Sequence, residues 1–526
     1  MPGLSRLPTH TRLGRVGGER GRGLRRLRWA AAALVALGLT WAVLPGLATA
    51  AGSWRRPAPR IPNSLRALGP GTRFFVPPPD AGAVQQERAL LGAGDRRDAA
   101  LLASMESFSH AVWFDGGTPD QVREQVRRVM RQAAAQRAVP VLVAYDIPGR
   151  DCAQYSAGGA LDLSAYEAWI SAFARGIGRA KAVVLLEPDS LGLLPSSCGG
   201  PKSGYPFTDA DRYAELNYAV EVLERDPATS VYLDGTHSAW LAVGDIAQRL
   251  VAAGVRRAQG FFLNVSNYQP TPELIDYGTW ISDCIAFAGD AEQGGWRLGH
   301  YDYCASQYYP ATQSDFSTWQ LSTDWYEANL GSAVATTHFV IDTSRNGNGP
   351  DDMLMYAQAP YNQPPTVIAA LQAGNWCNPP GRGLGLRPTA ATAVPLLDAY
   401  LWVKVPGESD GQCDAAGGAR AWDYAAYSQS GWPTDPAQQA LFDPLWGGFD
   451  PAAGAWFPAQ ALQLAEDADA PLPAWPPGGA HRRPAQRRFP PSGRRARHPS
   501  PPAGRPAQHP SPPSSDTHAR RRMSRV

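Results

Sequence analysis

The middle of the sequence has little positive charge, and the whole chain has few cysteines. Its 526 residues include six Cys, and no two of them have the Cys-x-x-Cys spacing typical of zinc sites, so neither a metal nor another cofactor is predicted. Residues 57–478 contain 27 Lys and Arg against 45 Asp and Glu, which gives a net charge of −18. Such an acidic region argues against nucleic acid or another anionic polymer as substrate and is compatible with a neutral one.

An apolar run near the N-terminus indicates export. Residues 29–44 follow an Arg-rich start, and Ala48-Thr49-Ala50 resembles a cleavage site, so residues 1–50 are predicted to be a secretory signal. Arg25-Arg26 leaves the general and the twin-arginine routes open. A permanent anchor is the alternative, but Pro45 cuts the run short, so no stable membrane association is expected after cleavage. Outside the cell, the six Cys would form up to three disulfides in any of fifteen pairings.

Short apolar runs alternate with amphipathic stretches from about Ala111 to Lys404, which is typical of a parallel α/β fold. The predicted strands are 110–114, 140–145, 182–186, 230–233, 260–263, 338–341 and 399–403. The predicted helices include 120–137, 164–179, 209–225 and 245–257. Seven strands in this arrangement predict a barrel or a closely related curled sheet.

Polar residues follow all seven predicted strands. They are Asp115, Asp146, Asp151, Glu187, Asp189, Asp234, His237, Asn264, Asn267, Asp342, Arg345, Lys404, Glu408 and Asp410. In parallel α/β folds the carboxyl ends of the strands form one face, and this face carries the active site. Helix capping would explain any one of these residues but not the whole series. The sequence therefore predicts a cleft with several carboxylates, which is what glycosidic bond cleavage needs.

Two long motifs carry a resemblance to a known family. They are Val143–Cys152 (VAYDIPGRDC), which is followed by Ser156–Gly159 (SAGG), and Leu186–Leu191 (LEPDSL). Together they match both signatures of glycoside hydrolase family 6, and the resemblance extends from Phe75 to Pro458. It implies a distorted, TIM-like β/α barrel of seven parallel strands with the active site at the strand C-terminal ends under long loops. It also implies a secreted, monomeric cellulase that inverts the anomeric configuration of its product.

The resemblance implies roles for three carboxylates. Asp189 matches the general acid, which needs a high pKa, and Asp151 matches the neighbouring aspartate that raises this pKa. Asp410 matches the candidate base, which acts either directly or through a water chain that reaches Asp151. An inverting enzyme separates acid and base by roughly 6.5 to 9.5 Å so that a water fits between base and sugar. Some relatives hold this water with a serine where this chain has Ala157.

The resemblance also implies substrate-binding residues. Tyr145 matches the tyrosine that helps to distort the sugar at the cleavage point, and Lys404 with Glu408 matches the pair that holds the adjacent sugar. An aromatic ring can stack on the apolar face of a pyranose. The other expected glucan contacts are Trp113, Trp240 and Trp376 as platforms and Asp234, His237, Asn264 and Asn267 as hydrogen-bonding partners. Val243 lies where some relatives place another Trp, which predicts a weaker distal product subsite.

The exo or endo character of the expected cellulase depends on its loops. The resemblance implies the disulfides Cys152–Cys198, Cys377–Cys413 and Cys284–Cys304. The last of these lies in Tyr268–Thr337, a segment that compact family endoglucanases lack and bacterial cellobiohydrolases have. An ordered loop here predicts a roofed cleft and release of cellobiose from chain ends, by resemblance the nonreducing ones. The alternatives are an endoglucanase with an open groove, a noncatalytic glucan-binding protein, and adhesion through the Arg-rich tail.

The composition also predicts the domain boundaries. Residues 51–69 are predicted to be a linker, 70–468 the catalytic domain, and 469–526 a disordered tail rich in Pro and Arg without apolar periodicity. The tail is interpreted either as a linker to a carbohydrate-binding module or as a nonfunctional extension.

Overall fold

The structure is a computed structural model that describes residues 65–198, 206–290 and 295–473. The signal predicted at 1–50, most of the predicted linker and nearly all of the predicted tail lie outside the described residues. Within the described ranges, no helix has both the length and the apolar character needed to cross a bilayer.

Seven strands of the described residues form one parallel sheet, in the order in which they follow one another along the chain. They are β1 (Val112–Phe114), β2 (Val141–Ala144), β3 (Ala182–Leu186), β4 (Thr229–Asp234), β5 (Gly260–Leu263), β6 (His338–Asp342) and β7 (Leu397–Leu401). The sheet curls so that β1 and β7 approach each other without pairing as strands in the described residues; beside them the Ala111 N–H donates to the Trp402 carbonyl (2.9 Å). The predicted seven-stranded, curled parallel fold is confirmed.

Helices precede β1, lie between consecutive strands and follow β7, and several of them pack on the outside of the sheet. They are α1 (Ala81–Ala93), α2 (Arg96–Met105), α3 (Pro119–Gln136), α4 (Leu163–Ile177), α5 (Asp209–Leu223), α6 (Val243–Ala252), α7 (Thr271–Phe287), α8 (Gln320–Asn329), α9 (Pro365–Ala373), α10 (Pro436–Gln439) and α11 (Pro458–Glu466). Helix α3 begins with a capping box in which Thr118 and Gln121 bond to each other's backbone N–H groups. Helix α6 ends five residues before its predicted end because the chain turns at Gly254, whose φ is +93°.

Strand side chains alternate between two cores, and both are apolar. Leu142, Val184 and Leu233 point outward and pack under the helices with Trp169 and Phe173. The alternate positions fill the inside of the curled sheet; they include Val143, Val183, Leu185, Tyr232, Phe262 and Val340. Because the strands are buried on both faces, their sequences are continuous apolar runs rather than alternating ones. The polar residues that follow them lie together at one end of the sheet.

The segment Tyr268–Thr337 differs from the ordered loop that the sequence predicts, because it forms the helical crossover between β5 and β6. Helix α7 within it is largely buried, and its Tyr277 and Trp280 belong to the outer core. Gly278 lies against the ring of Phe339, where an added Cβ would come within 2.6 Å of the ring. Removal of the whole segment would therefore expose the sheet.

Candidate active site

The turns after the strands hold several non-glycine residues in the left-handed backbone region. They include Asp151 (φ 57°), Glu187 (φ 54°), Asp189 (φ 66°), Thr236 (φ 59°) and Asn264 (φ 67°). Such a conformation costs on the order of 1 kcal/mol or more per residue and clusters at functional sites. The carboxyl ends of β2 to β5 are therefore strained at the positions where the sequence places its candidate residues.

Asp189 follows β3 and is partly buried. Burial raises the pKa of its carboxyl group well above the ordinary value, and the charges of Asp234, Asp151 and Asp410 raise it further. Within the described ranges, no donor forms a hydrogen bond to the Asp189 carboxylate, so nothing there offsets the loss of water. The protonated form is favoured, which is the state that a general acid requires.

Asp234 holds the turn that carries Asp189. Its Oδ2 accepts the backbone N–H groups of Leu191 (3.1 Å) and Gly192 (3.2 Å), and its Oδ1 accepts that of Thr236 (2.9 Å). Burial nevertheless leaves the pKa of Asp234 raised. The sequence predicts Asp234 as a substrate contact, whereas the structure uses both of its oxygens to position the backbone beside Asp189.

Asp151 lies on the loop after β2, next to the Cys152–Cys198 disulfide. Its Oδ2 accepts the Ser156 N–H (2.7 Å). Burial raises the pKa of Asp151, although this hydrogen bond and the nearby Arg150 lower it in part. The Arg150 guanidinium donates to the backbone carbonyls of Ser156 (2.8 Å) and Asp115 (3.0 Å), so it fixes the shape of this loop.

Asp410 differs from Asp151, Asp189 and Asp234 because its pKa is lowered rather than raised. Arg345 donates to both of its oxygens (2.8 and 3.0 Å), Lys404 Nζ lies 3.5 Å from Oδ1, and the Asn378 N–H and the Tyr268 hydroxyl donate to Oδ2 (3.0 and 3.3 Å). Burial acts to raise its pKa, but the charges of Arg345 and Lys404 outweigh burial and the net pKa is lowered. A carboxylate so fully paired is a weak proton acceptor.

Lys404 and Glu408 lie on the same loop as Asp410. Lys404 Nζ donates to the Ser409 carbonyl (2.9 Å). Burial raises the pKa of Glu408 to about 7, which Lys404 opposes and the charges of Asp80 and Asp115 support. The predicted pair therefore combines a cation that faces Asp410 with a carboxyl that can donate or accept a hydrogen bond near neutral pH.

The three predicted Trp platforms are all partly exposed. Trp113 packs edge-on against the buried Tyr145 (ring centroids 5.3 Å apart), and its Nε1 donates to the Val403 carbonyl (2.8 Å). Trp240 lies over Gly192, where an added Cβ would overlap the indole. Trp376 lies 6.1 Å from the ring of Tyr155. None of the three is a core residue, so each can present a ring to a ligand.

The remaining predicted contacts divide into two groups. Burial lowers the pKa of His237 to about 4, so its ring is neutral and can exchange hydrogen bonds with a sugar. Asn264 is buried, and its amide is used by the backbone, since Nδ2 donates to the Asp342 carbonyl (2.9 Å) and Oδ1 accepts the Gln269 N–H (3.0 Å). Asn267 is partly exposed, and its side chain forms no hydrogen bond with the described residues. Asn267 therefore suits a ligand contact, whereas Asn264 shapes the turn.

Two further residues support the site; Glu187 is among the candidates that follow the predicted strands, whereas Asn378 is not. Asn378 accepts the Asp410 N–H through its Oδ1 (2.8 Å) and donates through Nδ2 to Asp450 (2.9 Å). Glu187 is fully buried and accepts the N–H groups of Asp146 (3.0 Å) and Ile147 (3.0 Å), with its pKa raised to about 8 by burial. Glu187 follows a predicted strand within the motif Leu186–Leu191, whereas Asn378 lies in the stretch Trp376–Asn378 (WCN), which shares the resemblance without an assigned role.

Residues 407–411 (GESDG) fit the Gly-x-Ser-x-Gly pattern of serine hydrolases. Ser409 is fully buried, however, and its hydroxyl donates to the Pro451 carbonyl (2.9 Å) and accepts from Asn378 Nδ2 (2.9 Å). It therefore cannot act as an exposed nucleophile, and the pattern is coincidental.

Three disulfides are present in the described residues, and they join Cys152 to Cys198, Cys284 to Cys304, and Cys377 to Cys413. This is the pairing that the resemblance implies. The first and the last fasten the loops that carry Asp151 and Asp410.

Comparison with known proteins identifies the family. The model of the family "Glycosyl hydrolases family 6" matches residues 70–468. "Endoglucanase 1" of Streptomyces halstedii is 32% identical over 401 residues, which is 76% of this chain and 96% of that protein. A "Probable 1,4-beta-D-glucan cellobiohydrolase C" of Aspergillus clavatus is 27% identical over 70% of this chain and 69% of its own length.

Among solved structures, the endoglucanase Cel6 from Mycobacterium tuberculosis, in complex with methyl-cellobiosyl-4-deoxy-4-thio-β-D-cellobioside, is 32% identical. The match has a TM-score of 0.50 and covers 76% of this chain and 97% of that one. With its curled seven-stranded sheet and its carboxylates at the strand ends, the chain belongs to glycosyl hydrolase family 6.

Proposed function

We propose that the protein is a secreted, monomeric, inverting β-1,4-glucan hydrolase that releases cellobiose from the ends of cellulose chains, by family resemblance the nonreducing ends. The observation that carries the proposal is the Asp189 carboxyl group, which is partly buried, has a raised pKa and lies within the influence of three other carboxylates. This environment keeps a proton available for the leaving glycosidic oxygen.

In this proposal Asp151, rather than Asp410, acts as the general base that accepts the proton of the attacking water. A water molecule attacks the anomeric carbon from the face opposite the leaving group, and its proton passes through a second water to Asp151. The raised pKa of Asp151 supports this assignment, whereas Asp410 has a lowered pKa and is fully paired. In this scheme the Asp410–Arg345 pair supplies fixed charge beside the reacting sugar, and Asp189 gives its proton to the departing chain.

Contact between two loops supports exo action. Tyr155, on the loop of Asp151, accepts the Asp414 N–H (3.0 Å) and donates to the Asp414 carbonyl (3.1 Å) on the loop of Asp410. Its ring lies against Gly411 and Gly417, where any added Cβ would overlap it. Loops joined in this way restrict lateral entry of a polymer, so a chain enters by its end.

Endo action is the second candidate, because bacterial relatives are named endoglucanases; one is "Endoglucanase A" of Cellulomonas fimi, which is 33% identical over 67% of this chain. Carboxymethylcellulose discriminates the two modes. Exo action predicts little loss of viscosity for each reducing end formed, and endo action predicts an early collapse. Cellohexaose digestion followed by NMR tests the chemistry itself, since an inverting enzyme first releases the α-anomer from its β-linked substrate. A β-anomer as first product would exclude the inverting assignment.

Export is supported by the three disulfides, which are typical of oxidising compartments. Expression of the full chain in a secreting host, followed by N-terminal sequencing of the protein in the medium, tests this. Residue 51 is the expected first residue of the mature protein.

A further inference from the structure

A tight turn, Ser306–Pro310, lies in the crossover between β5 and β6. The Ser306 N–H donates to the Tyr309 carbonyl (2.8 Å), and the Ser306 hydroxyl accepts the N–H groups of Tyr308 (3.1 Å) and Tyr309 (3.3 Å). Ser306 itself is buried. One buried serine thus organises the backbone that presents two consecutive tyrosines.

The turn is bonded to the loop that carries Trp240. Gln307 is fully buried, and its Nε2 donates to the carbonyls of Ser238 (2.9 Å) and Leu241 (2.9 Å). The Tyr308 hydroxyl donates to the carbonyl of Trp240 itself (2.9 Å). Three hydrogen bonds therefore fix the tyrosines next to an indole that is already partly exposed.

The backbone of Tyr309 is held by Ser306, but its side chain has no partner among the described residues. Its side chain is 80% exposed, and it forms neither a ring contact nor a hydrogen bond with the residues that the structure describes. Tyr308 is 45% exposed despite its bond to Trp240. An aromatic ring on an ordered turn offers apolar area to a ligand and loses little conformational freedom on binding.

We propose that Tyr309, supported by Tyr308, is a further glucan-binding site that extends the surface of Trp240 away from Asp189. The ligand class is a β-linked neutral glucan, whose pyranose rings have an apolar C–H face for the tyrosine and hydroxyl groups for its phenol. The proposal rests on the proposed function, because it lengthens the binding surface for the same substrate chain. Long chains should bind at this site and short ones should not reach it.

Isothermal titration with the Asp189→Asn protein tests the site without hydrolysis. In that background, Tyr309→Ala should raise the Kd for cellohexaose by about threefold to tenfold, the usual value of an aromatic stacking contact. The Kd for cellotriose should change less than about twofold. Tyr308→Phe keeps the ring but loses the bond to Trp240, so it should weaken cellohexaose binding to a smaller extent.

Phe316→Ala is the matched control, because Phe316 is 46% exposed in the same crossover and, among the aromatic rings of the described residues, contacts only that of Trp319. It should leave both Kd values unchanged. Equal loss for both oligosaccharides, an equal loss in the control, or no loss with Tyr309→Ala would overturn the proposed site. Failure of the Asp189→Asn protein itself to bind either oligosaccharide would instead overturn the glucan hydrolase assignment, and this site with it.

Discussion

Arg345 and Asp410 form a buried, bidentate ion pair between the loops that follow β6 and β7, with nitrogen–oxygen distances of 2.8 and 3.0 Å. The charges of Arg345 and Lys404 outweigh burial and lower the pKa of Asp410, which supports the proposed choice of Asp151 as the base. The pair also ties the stability of the fold to the site, since either charge alone would be buried without a partner.

Arg345→Met should therefore lower the free energy of unfolding by about 3 to 5 kcal/mol, the cost of leaving one partner of a buried pair uncompensated. Guanidinium denaturation measures it. Arg225→Met is the control, because it breaks an exposed pair with Glu221 and should cost less than about 1 kcal/mol. An Arg345→Met protein as stable as the control would show that the pair contributes little.

Asp189→Asn should retain cellulose binding and lose roughly two to four decades of turnover on cello-oligosaccharides, the usual contribution of a general acid. A substrate with a good leaving group needs little protonation and should lose much less. Steady-state rates on both substrates give the comparison. Asp324→Asn on the exposed face of α8 is the control and should behave as wild type. A similar loss on both substrates would contradict the role of Asp189.

The pH profile should respond to Asp151. The acid works only when protonated, so activity falls as pH rises through the raised pKa of Asp189. Asp151→Asn removes a nearby negative charge, which lowers this pKa and moves the alkaline limb of the residual kcat/KM to lower pH. On a substrate with a good leaving group the limb should be weak in both proteins. An unmoved limb on cello-oligosaccharides would show that Asp151 does not tune the acid.

Loss of a disulfide should destabilise the protein according to the length of the loop that it closes. Cys284 and Cys304 are 20 residues apart, whereas Cys152 and Cys198 are 46 apart. In the chain-entropy model the double Ser variants lose about 3 and about 4 kcal/mol, respectively. Thermal melts compare the two, and mass spectrometry checks the pairing in the secreted protein. Free thiols at these positions would reject the framework.

Tyr155→Ala should separate the loops of Asp151 and Asp410 and shift attack toward the middle of glucan chains. The measurement is viscosity loss per reducing end on carboxymethylcellulose, which should rise. Tyr155→Phe keeps the packing against Gly411 and loses only the bonds to Asp414, so its shift should be smaller. If wild type and both variants lose the same viscosity per reducing end formed, this contact does not control how the glucan chain enters the cleft.

The sequence predicts the sheet well because its strands are apolar on both faces. Only β7 is displaced, by two residues, since the apolar run continues through Val403 after the strand has ended. There the N–H groups of Val403 and Lys404 bond to the Asp342 carboxylate instead of to a strand (3.0 and 3.1 Å). Because Asp342 is 61 residues from Val403, the sequence around β7 contains no sign of where the strand ends.

The candidate site, too, is only partly predictable, because its long-range contacts leave no local sequence pattern. Motif spacing and resemblance indicate which residues gather at the strand ends, and the structure brings Asp151, Asp189 and Asp410 within electrostatic range of one another. Their protonation could not be predicted, because it depends on partners distant in sequence. Arg345 is 65 residues from Asp410 and meets it only because β6 and β7 are neighbours.

The contact of Tyr155 with Gly411 and Gly417 also bears on how such enzymes diverge. Both positions fit the phenol ring only because they have no side chain, so one methyl group at either would force the two loops apart. A single nucleotide change can convert a glycine codon into one for alanine. Under the proposed exo action, one such change at either glycine would open the cleft while leaving the carboxylates in place.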